Sequence, residues 1–300
     1  MSEPSLPRLY LVVAVGVLAV SMAAIFIRLA DAPGVVVALY RMLIASLVIL
    51  PWTLRALKRT PLTRRNVGYV LGAGLFLGAH FATWITSLSY TTVAASTALV
   101  TTNPLWVALF SWLFLGLAPS LAVILGVLTA VLGSALIGFG DLAGGAAPLV
   151  GDLLALAGAV FASGYFLLGR AAQRRGLSLR AYVGVAYGTA ALVLAPLPFV
   201  FGFDYAGYGV GTWAWVALLA LVPQLLGHTS FNFAMKHMDP TLVATLILLE
   251  PVASSLLALA LFGEVPAALT IAGAVILLAG VALTTRNSRP LGKARPAGKT

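Results

Sequence analysis

Apolar stretches of about 20 residues alternate with short polar breaks along this chain, recurring roughly every 30 residues. At 1.5 Å of rise per residue, about 20 helical residues cover the ~30 Å of hydrocarbon in a bilayer. Ten such runs are present: Leu9 to Leu29, Val35 to Leu54, Val67 to Leu88, Val93 to Leu115, Leu121 to Phe139, Gly151 to Leu168, Tyr182 to Val200, Trp213 to Phe233, Thr241 to Phe262 and Leu269 to Thr285. In a medium without water every backbone N–H and C=O must be paired within the segment. The runs are also too long and too uniformly apolar for barrel strands. The expected fold class is therefore an all-α integral membrane protein with ten transmembrane helices.

Composition agrees with this pattern. The chain is 61% hydrophobic and 9% charged, with a mean hydropathy of +1.05, whereas soluble domains carry roughly a quarter charged residues. Of 18 Lys and Arg, 16 fall on one side if the N-terminus is cytoplasmic, among them Arg55, Lys58, Arg59, Arg64 and Arg65, then Arg174, Arg175 and Arg180. Only Arg28 and Arg41 lie toward the other side. This asymmetry places both termini in the cytoplasm and the protein in the inner, or plasma, membrane. The net charge of +10 then reads as a topology signal and a match to anionic lipid, so nucleic-acid binding is discounted. No cysteine is present, which leaves the redox compartment open. The first run has no clear small-residue cleavage site and reads as a retained helix preceded by a cytoplasmic N-terminus, residues 1–8. The basic, Pro/Gly-rich segment 286–300 reads as a disordered cytoplasmic tail.

The chain repeats itself. Pro104, Gly116, Pro119, Gly126 and Gly133 recur as Pro251, Gly263, Pro266, Gly273 and Gly280 at a constant offset of 147. Further upstream His80 pairs with His228 at offset 148, Pro51 with Pro196 at 145, and Ser21 and Arg28 with Ser163 and Arg170 at 142. The halves span residues 9–140 and 151–285. Each holds five runs, an odd number, so the second half must cross in the opposite sense. Inverted repeats are typical of secondary transporters, whose substrate site lies near the midplane between the halves.

The five-plus-five arrangement, LYRM around Arg41, the Asn103-Pro104 and Glu250-Pro251 pairs each followed twelve residues later by Gly, and LFGE at 261–264 together resemble the drug/metabolite transporter superfamily, in its EamA-type branch. Within it the chain looks most like bacterial exporters of aromatic amino acids. The resemblance runs from about residue 10 to 285. It implies a transporter that exports amino acids, aromatic and other apolar ones favoured, or a different small metabolite or drug. One departure is that Gly116 is followed by Leu117 where the second half has Gly263 and Glu264, so an acid at that helix end is dispensable in the first half.

Polar groups in the apolar runs are the candidates for function, because membrane-embedded polar residues usually face the bundle interior or a watery cavity. Gln224, His228 and Asn232 are spaced i, i+4, i+8, one face of a 3.6-residue helix. His80 and Trp84 form a similar face, with Ser87 beside it. As repeat partners, His80 and His228 should converge on the pseudo-two-fold axis, with these faces lining a substrate cavity. Interhelical hydrogen bonds worth about 0.6 kcal/mol each are the alternative. Histidine could also titrate, a role weighted below hydrogen bonding. Pro104 and Pro251, mid-helix, should each loosen the chain near Asn103 and Glu250, as a hinge or a packing kink. Glu250 reads as either a proton-coupling site or a structural acceptor. Arg41 reads as a partner for Asp31, a snorkelling side chain, or an attractor of a substrate carboxylate, the structural roles favoured. Trp84, Tyr90, Trp106 and Tyr165 offer flat faces for an apolar or aromatic side chain, with ordinary packing the favoured alternative for each taken singly.

No metal-binding, P-loop or G-x-S-x-G motif is present. No cofactor is expected, and gradients must drive transport. An intramembrane serine hydrolase using Ser163 and His228 is the remaining enzymatic reading. Ser21, at the matching place in the first half, favours helix packing for both serines. Expected partners are a small-molecule substrate and the lipid bilayer, with the chain a monomer or weak dimer.

Overall fold

A computed structural model describes residues 4–91, 93–139, 147–262 and 267–287. Among these the regular structure is entirely helical. Eight helices are long and apolar enough to cross a membrane, and two shorter apolar helices span Leu121–Leu136 and Pro240–Ser254.

The first half comprises α1 Leu6–Ser21, α2 Ala23–Ala30, α3 Gly34–Arg59, α4 Arg64–Ser87, α5 Val93–Val100, α6 Asn103–Leu115 and α7 Leu121–Phe139. The second comprises α8 Pro148–Arg174, α9 Leu179–Leu194, a single turn α10 Leu197–Val200, α11 Val210–Leu219, a π-helical segment Ala220–His228, α12 Thr229–His237, α13 Pro240–Ile247, α14 Glu250–Phe262 and α15 Ala268–Asn287. Helices α3 and α8 run several residues beyond the apolar stretches at their basic ends, ending on Arg59 and Arg174. Long cationic side chains can lay their stems on the apolar surface while the charge stays wet. The helix α15 likewise continues to Asn287; the rest of the expected tail, residues 288–300, lies outside the described residues, as do Gly263, Glu264 and Pro266.

The two prolines expected to bend helix interiors do more than that. α5 ends at Val100 and α6 restarts at Asn103, with Pro104 in its first turn; α13 ends at Ile247 and α14 restarts at Glu250. The intervening turns are tightened by i→i+3 bonds, Thr102 N to Leu99 O at 3.1 Å and Leu249 N to Leu246 O at 3.1 Å. A proline has no N–H to lose at the start of a helix, which is why the chain breaks just before it. The interruptions fall at matching positions in the two halves.

Each half contributes helices that pack on the other. α4 lies along α8, α1 along the π segment and α12, and α7 along α15. The last pair is the tightest. A methyl group on Gly133 would sit 2.6 Å from Gly273 O, and one on Gly126 would sit 2.8 Å from Thr284 N. As α7 rises from 126 to 133 its partner descends from 284 to 273, so the two helices run antiparallel with their backbones nearly touching. Leu121, Leu125, Leu128 and Leu132 on the other side of α7 are exposed, as a lipid-facing surface requires. At the basic end, Thr53 Oγ1 donates to Arg180 O at 3.2 Å and the Arg175 guanidinium lies 4.5 Å from the Tyr69 ring centroid. These contacts tie α3, α4, α8 and α9 together beside their charged turns.

Candidate functional site

Where the two interrupted helices meet α1, α4, α8 and the π segment, the packing leaves a cavity. It contains about 500 Å³ of space unfilled by protein atoms, part of it open to the outside. Its wall is built largely from repeat partners: His80 with His228, Asn103 with Glu250, Trp84 with Phe231, Val100 with Ile247, and Val20 with Ala162. The pocket draws matching positions from both halves, and the chemistry of the partners differs. Asn103 and Glu250 each open the second part of a broken helix.

His80 and His228 converge as the repeat implies, with ring centroids 6.4 Å apart. His80 Nδ1 donates to Gly158 O at 2.9 Å, so in the neutral ring Nε2 is the acceptor. Trp84 stacks on His80 at 5.8 Å and Phe166 on His228 at 6.4 Å. The result is an aromatic wall with two imidazoles set in it.

The three polar side chains of the eighth run have different surroundings. Ala220–His228 is π-helical, with Pro223 inside it. Only His228 of the three side chains lines the cavity. Gln224 is fully buried and accepts from Arg41 Nε at 2.9 Å. Asn232 Nδ2 donates to the hydroxyl of Tyr165 and to His228 O, while Gln173 Nε2 donates to Asn232 O at 3.0 Å. Tyr165 is itself fully buried, stacked on Tyr182 behind the wall rather than in it. These three form a supporting layer that fixes the helices carrying the lining. Ser87 pairs with Ser96 at 2.6 Å, and Tyr90 and Trp106 lie away from the cavity.

Arg41 behaves as neither an Asp31 partner nor a snorkelling residue. Its side chain is fully buried, its guanidinium lies 4.1 Å from the Phe81 ring centroid, and it lines the cavity opposite no bonded carboxylate. Burial of this kind without an anion costs several kcal/mol; the Gln224 bond and the Phe81 face offset only part of it. Phe81, Phe166 and Phe231 were not singled out in the sequence. Applying the offset of 147 to Trp84 points to Phe231, but nothing local marks the other two.

Ser163 Oγ donates to Ala159 O at 2.8 Å and to Asn103 O at 3.2 Å. Both acceptors are backbone carbonyls, so the pairing with His228 that a hydrolase would need is not among its hydrogen bonds. Among the described residues no cluster of three metal-ligating side chains occurs.

Comparison with known proteins agrees with this architecture. A protein of known crystal structure superposes with a TM-score of 0.77, covering 96% of this chain and 100% of its own at 22% identity, a likeness of fold. An uncharacterized transporter of Archaeoglobus fulgidus is 26% identical over 266 residues, 87% of this chain and 90% of that protein. The model of the EamA-like transporter family matches twice, over residues 8–139 and 149–286, one copy for each half of the helical bundle. With both halves matched almost end to end, the chain belongs to the EamA-like transporter family, a membrane transporter of small substrates.

Proposed function

We propose that this protein is a secondary transporter that exports amino acids, those with aromatic or other apolar side chains favoured, by alternating access across the inner membrane. Ten spans form two inverted five-helix repeats, with both termini in the cytoplasm, and the chain acts as a monomer or weak dimer in the bilayer. The observation that carries this reading is the cavity between the halves, walled by repeat partners and capped by two helix breaks. A site built from both repeats changes shape when the repeats rock against each other, which is what alternating access requires. The antiparallel course of α7 and α15, matching segments of the two halves, supports the inversion. The aromatic wall of Trp84, Phe166 and Phe231 supports an apolar or aromatic side chain on the substrate. His80, His228 and Asn103 are the hydrogen-bonding groups available to it, and the breaks at Pro104 and Pro251 are the flexible points.

Purified protein in liposomes, loaded with radiolabelled amino acids with and without a pH gradient, tests the reading. Accumulation or counterflow of phenylalanine-like substrates is expected. Flux of another solute class with none of any amino acid overturns the substrate, and flux indifferent to the gradient removes Glu250 and the histidines as obligatory proton carriers.

A further inference from the structure

The cavity contains a basic and an acidic side chain that do not satisfy each other. Of the five N–H donors of a guanidinium, Arg41 uses only the one on Nε, given to Gln224; Nη1 and Nη2 are buried and without an acceptor. Glu250 lines the same cavity, yet since Nη1 and Nη2 are unbonded it is not paired with Arg41. Asn103 Oδ1, at the start of α6, is also buried without a donor. Buried polar atoms are nearly always bonded, and an unpaired guanidinium is among the costliest exceptions. Here the orphaned atoms of Arg41 and Asn103 and the carboxylate of Glu250 belong to residues lining one cavity.

Their chemistry describes a ligand. Nη1 and Nη2 form a planar fork that matches a carboxylate with two parallel hydrogen bonds. A carboxylate and a carbonyl oxygen both accept from an ammonium group. The other charged or titratable groups of the lining are the two imidazoles, His80 and His228, which serve either end as hydrogen-bond partners. With one basic and one acidic side chain, the lining matches a ligand that carries both charges and is neutral overall. A simple amine leaves Arg41 unpaired and facing a like charge; a simple carboxylic acid leaves Glu250 so.

We propose that Arg41 is the carboxylate subsite and that Glu250 with Asn103 is the ammonium subsite, so that the cavity selects zwitterionic α-amino acids over the amine or the acid that lacks one charged end. This rests on the amino-acid transport reading and names the residues that enforce it. Gln224 is a positioning residue that holds the fork toward the cavity through Nε.

The test compares phenylalanine with phenethylamine and 3-phenylpropionate, which keep the ring and lose one charged group each. Counterflow in liposomes and ligand-dependent thermal shift in detergent are read for the wild type, Arg41→Gln, Arg41→Lys and Glu250→Gln. The wild type should prefer phenylalanine to either analogue by at least about tenfold, the equivalent of ~1.4 kcal/mol. Arg41→Gln should erase the discrimination against phenethylamine, and Glu250→Gln the discrimination against phenylpropionate. Arg41→Lys keeps the charge but not the fork and should fall between. Should the Arg41 variants fail to fold, the wild-type comparison still decides, because equal stabilisation by phenylalanine and either analogue overturns the assignment. Phenylalanine flux with an unchanged order of preference in folded variants overturns the assignment alone. No flux or thermal shift with any amino acid overturns the transport reading along with it.

Discussion

Ser163 Oγ lies 3.2 Å from the carbonyl oxygen of Asn103, at the point where the chain restarts as α6. In the other half Ser21 Oγ lies 3.4 Å from the carbonyl of Glu250, where α14 restarts. Both hydroxyls also donate four residues back, to Ala159 O and Val17 O. The opening helix of each half therefore braces the broken helix of the other. Interhelical bonds of this type average about 0.6 kcal/mol in membranes, so Ser163→Ala should lower thermal stability slightly and leave flux within about twofold. A larger loss of flux at unchanged stability would show that the serine acts on substrate.

The α7–α15 seam should be far less tolerant. Gly133→Val drives a branched side chain into the backbone at Gly273 and Leu277, which neither helix can yield without separating. Overpacking costs about 1–3 kcal/mol or more, and the expected outcome is loss of monodisperse protein on size-exclusion chromatography. Gly68→Ala, with nothing within 4 Å of the added methyl, is the control and should behave as wild type.

Gln224→Leu removes the one acceptor that Arg41 has among the described residues. Leaving a buried charged donor unpaired costs at least ~1–3 kcal/mol, so the melting temperature should drop. Gln224→Glu restores an acceptor and should recover most of it. Equal stability of the leucine and glutamate variants would mean that the bond contributes nothing.

His228→Ala and Trp84→Ala should reduce transport without reducing expression, because both side chains face the cavity. Losing a stacked wall or a hydrogen-bonding ring is worth about 1–2 kcal/mol, roughly ten-fold in affinity. Uptake assays at matched protein levels check this, and intact flux in both variants would remove the cavity from the transport path.

A chain without cysteine accepts single-cysteine mapping directly. Tyr205→Cys and Thr60→Cys are both at exposed positions, on opposite sides of the span formed by α9 and α10 and the span of α3 respectively. A membrane-impermeant maleimide should label the first in intact cells and the second only after permeabilisation. Labelling of both under one condition would refute the inverted topology.

Much was legible in the linear order of residues. Hydrophobic length is a local property, and in hydrocarbon the unpaired backbone leaves little choice but helix. The recurrence of Pro104 and Pro251 with their glycines at one offset exposed the two halves, and the pairing of His80 with His228 pointed to two rings that lie 6.4 Å apart in one cavity wall. Uneven placement of cations marked one end of the bundle as basic, because charge in lipid is costly wherever it falls.

What no reading of the order alone could decide is which polar groups share the cavity. Helices such as α6, α7 and α15 are apolar on nearly every side, so periodicity does not separate a lipid-facing surface from a protein-facing one. The π-helical turn around Pro223 shifted a regular i, i+4, i+8 column out of register, sending Gln224 to Arg41 and Asn232 to Tyr165 and leaving His228 in the wall. Arg41, Asn103 and Glu250 meet only because helices distant in the chain cross at the breaks, a long-range result of packing. Sequence settled the medium, the helices and their duplication because those follow from local hydrophobicity and spacing; tertiary structure alone settled the neighbours, because contact across a bundle depends on every helix at once.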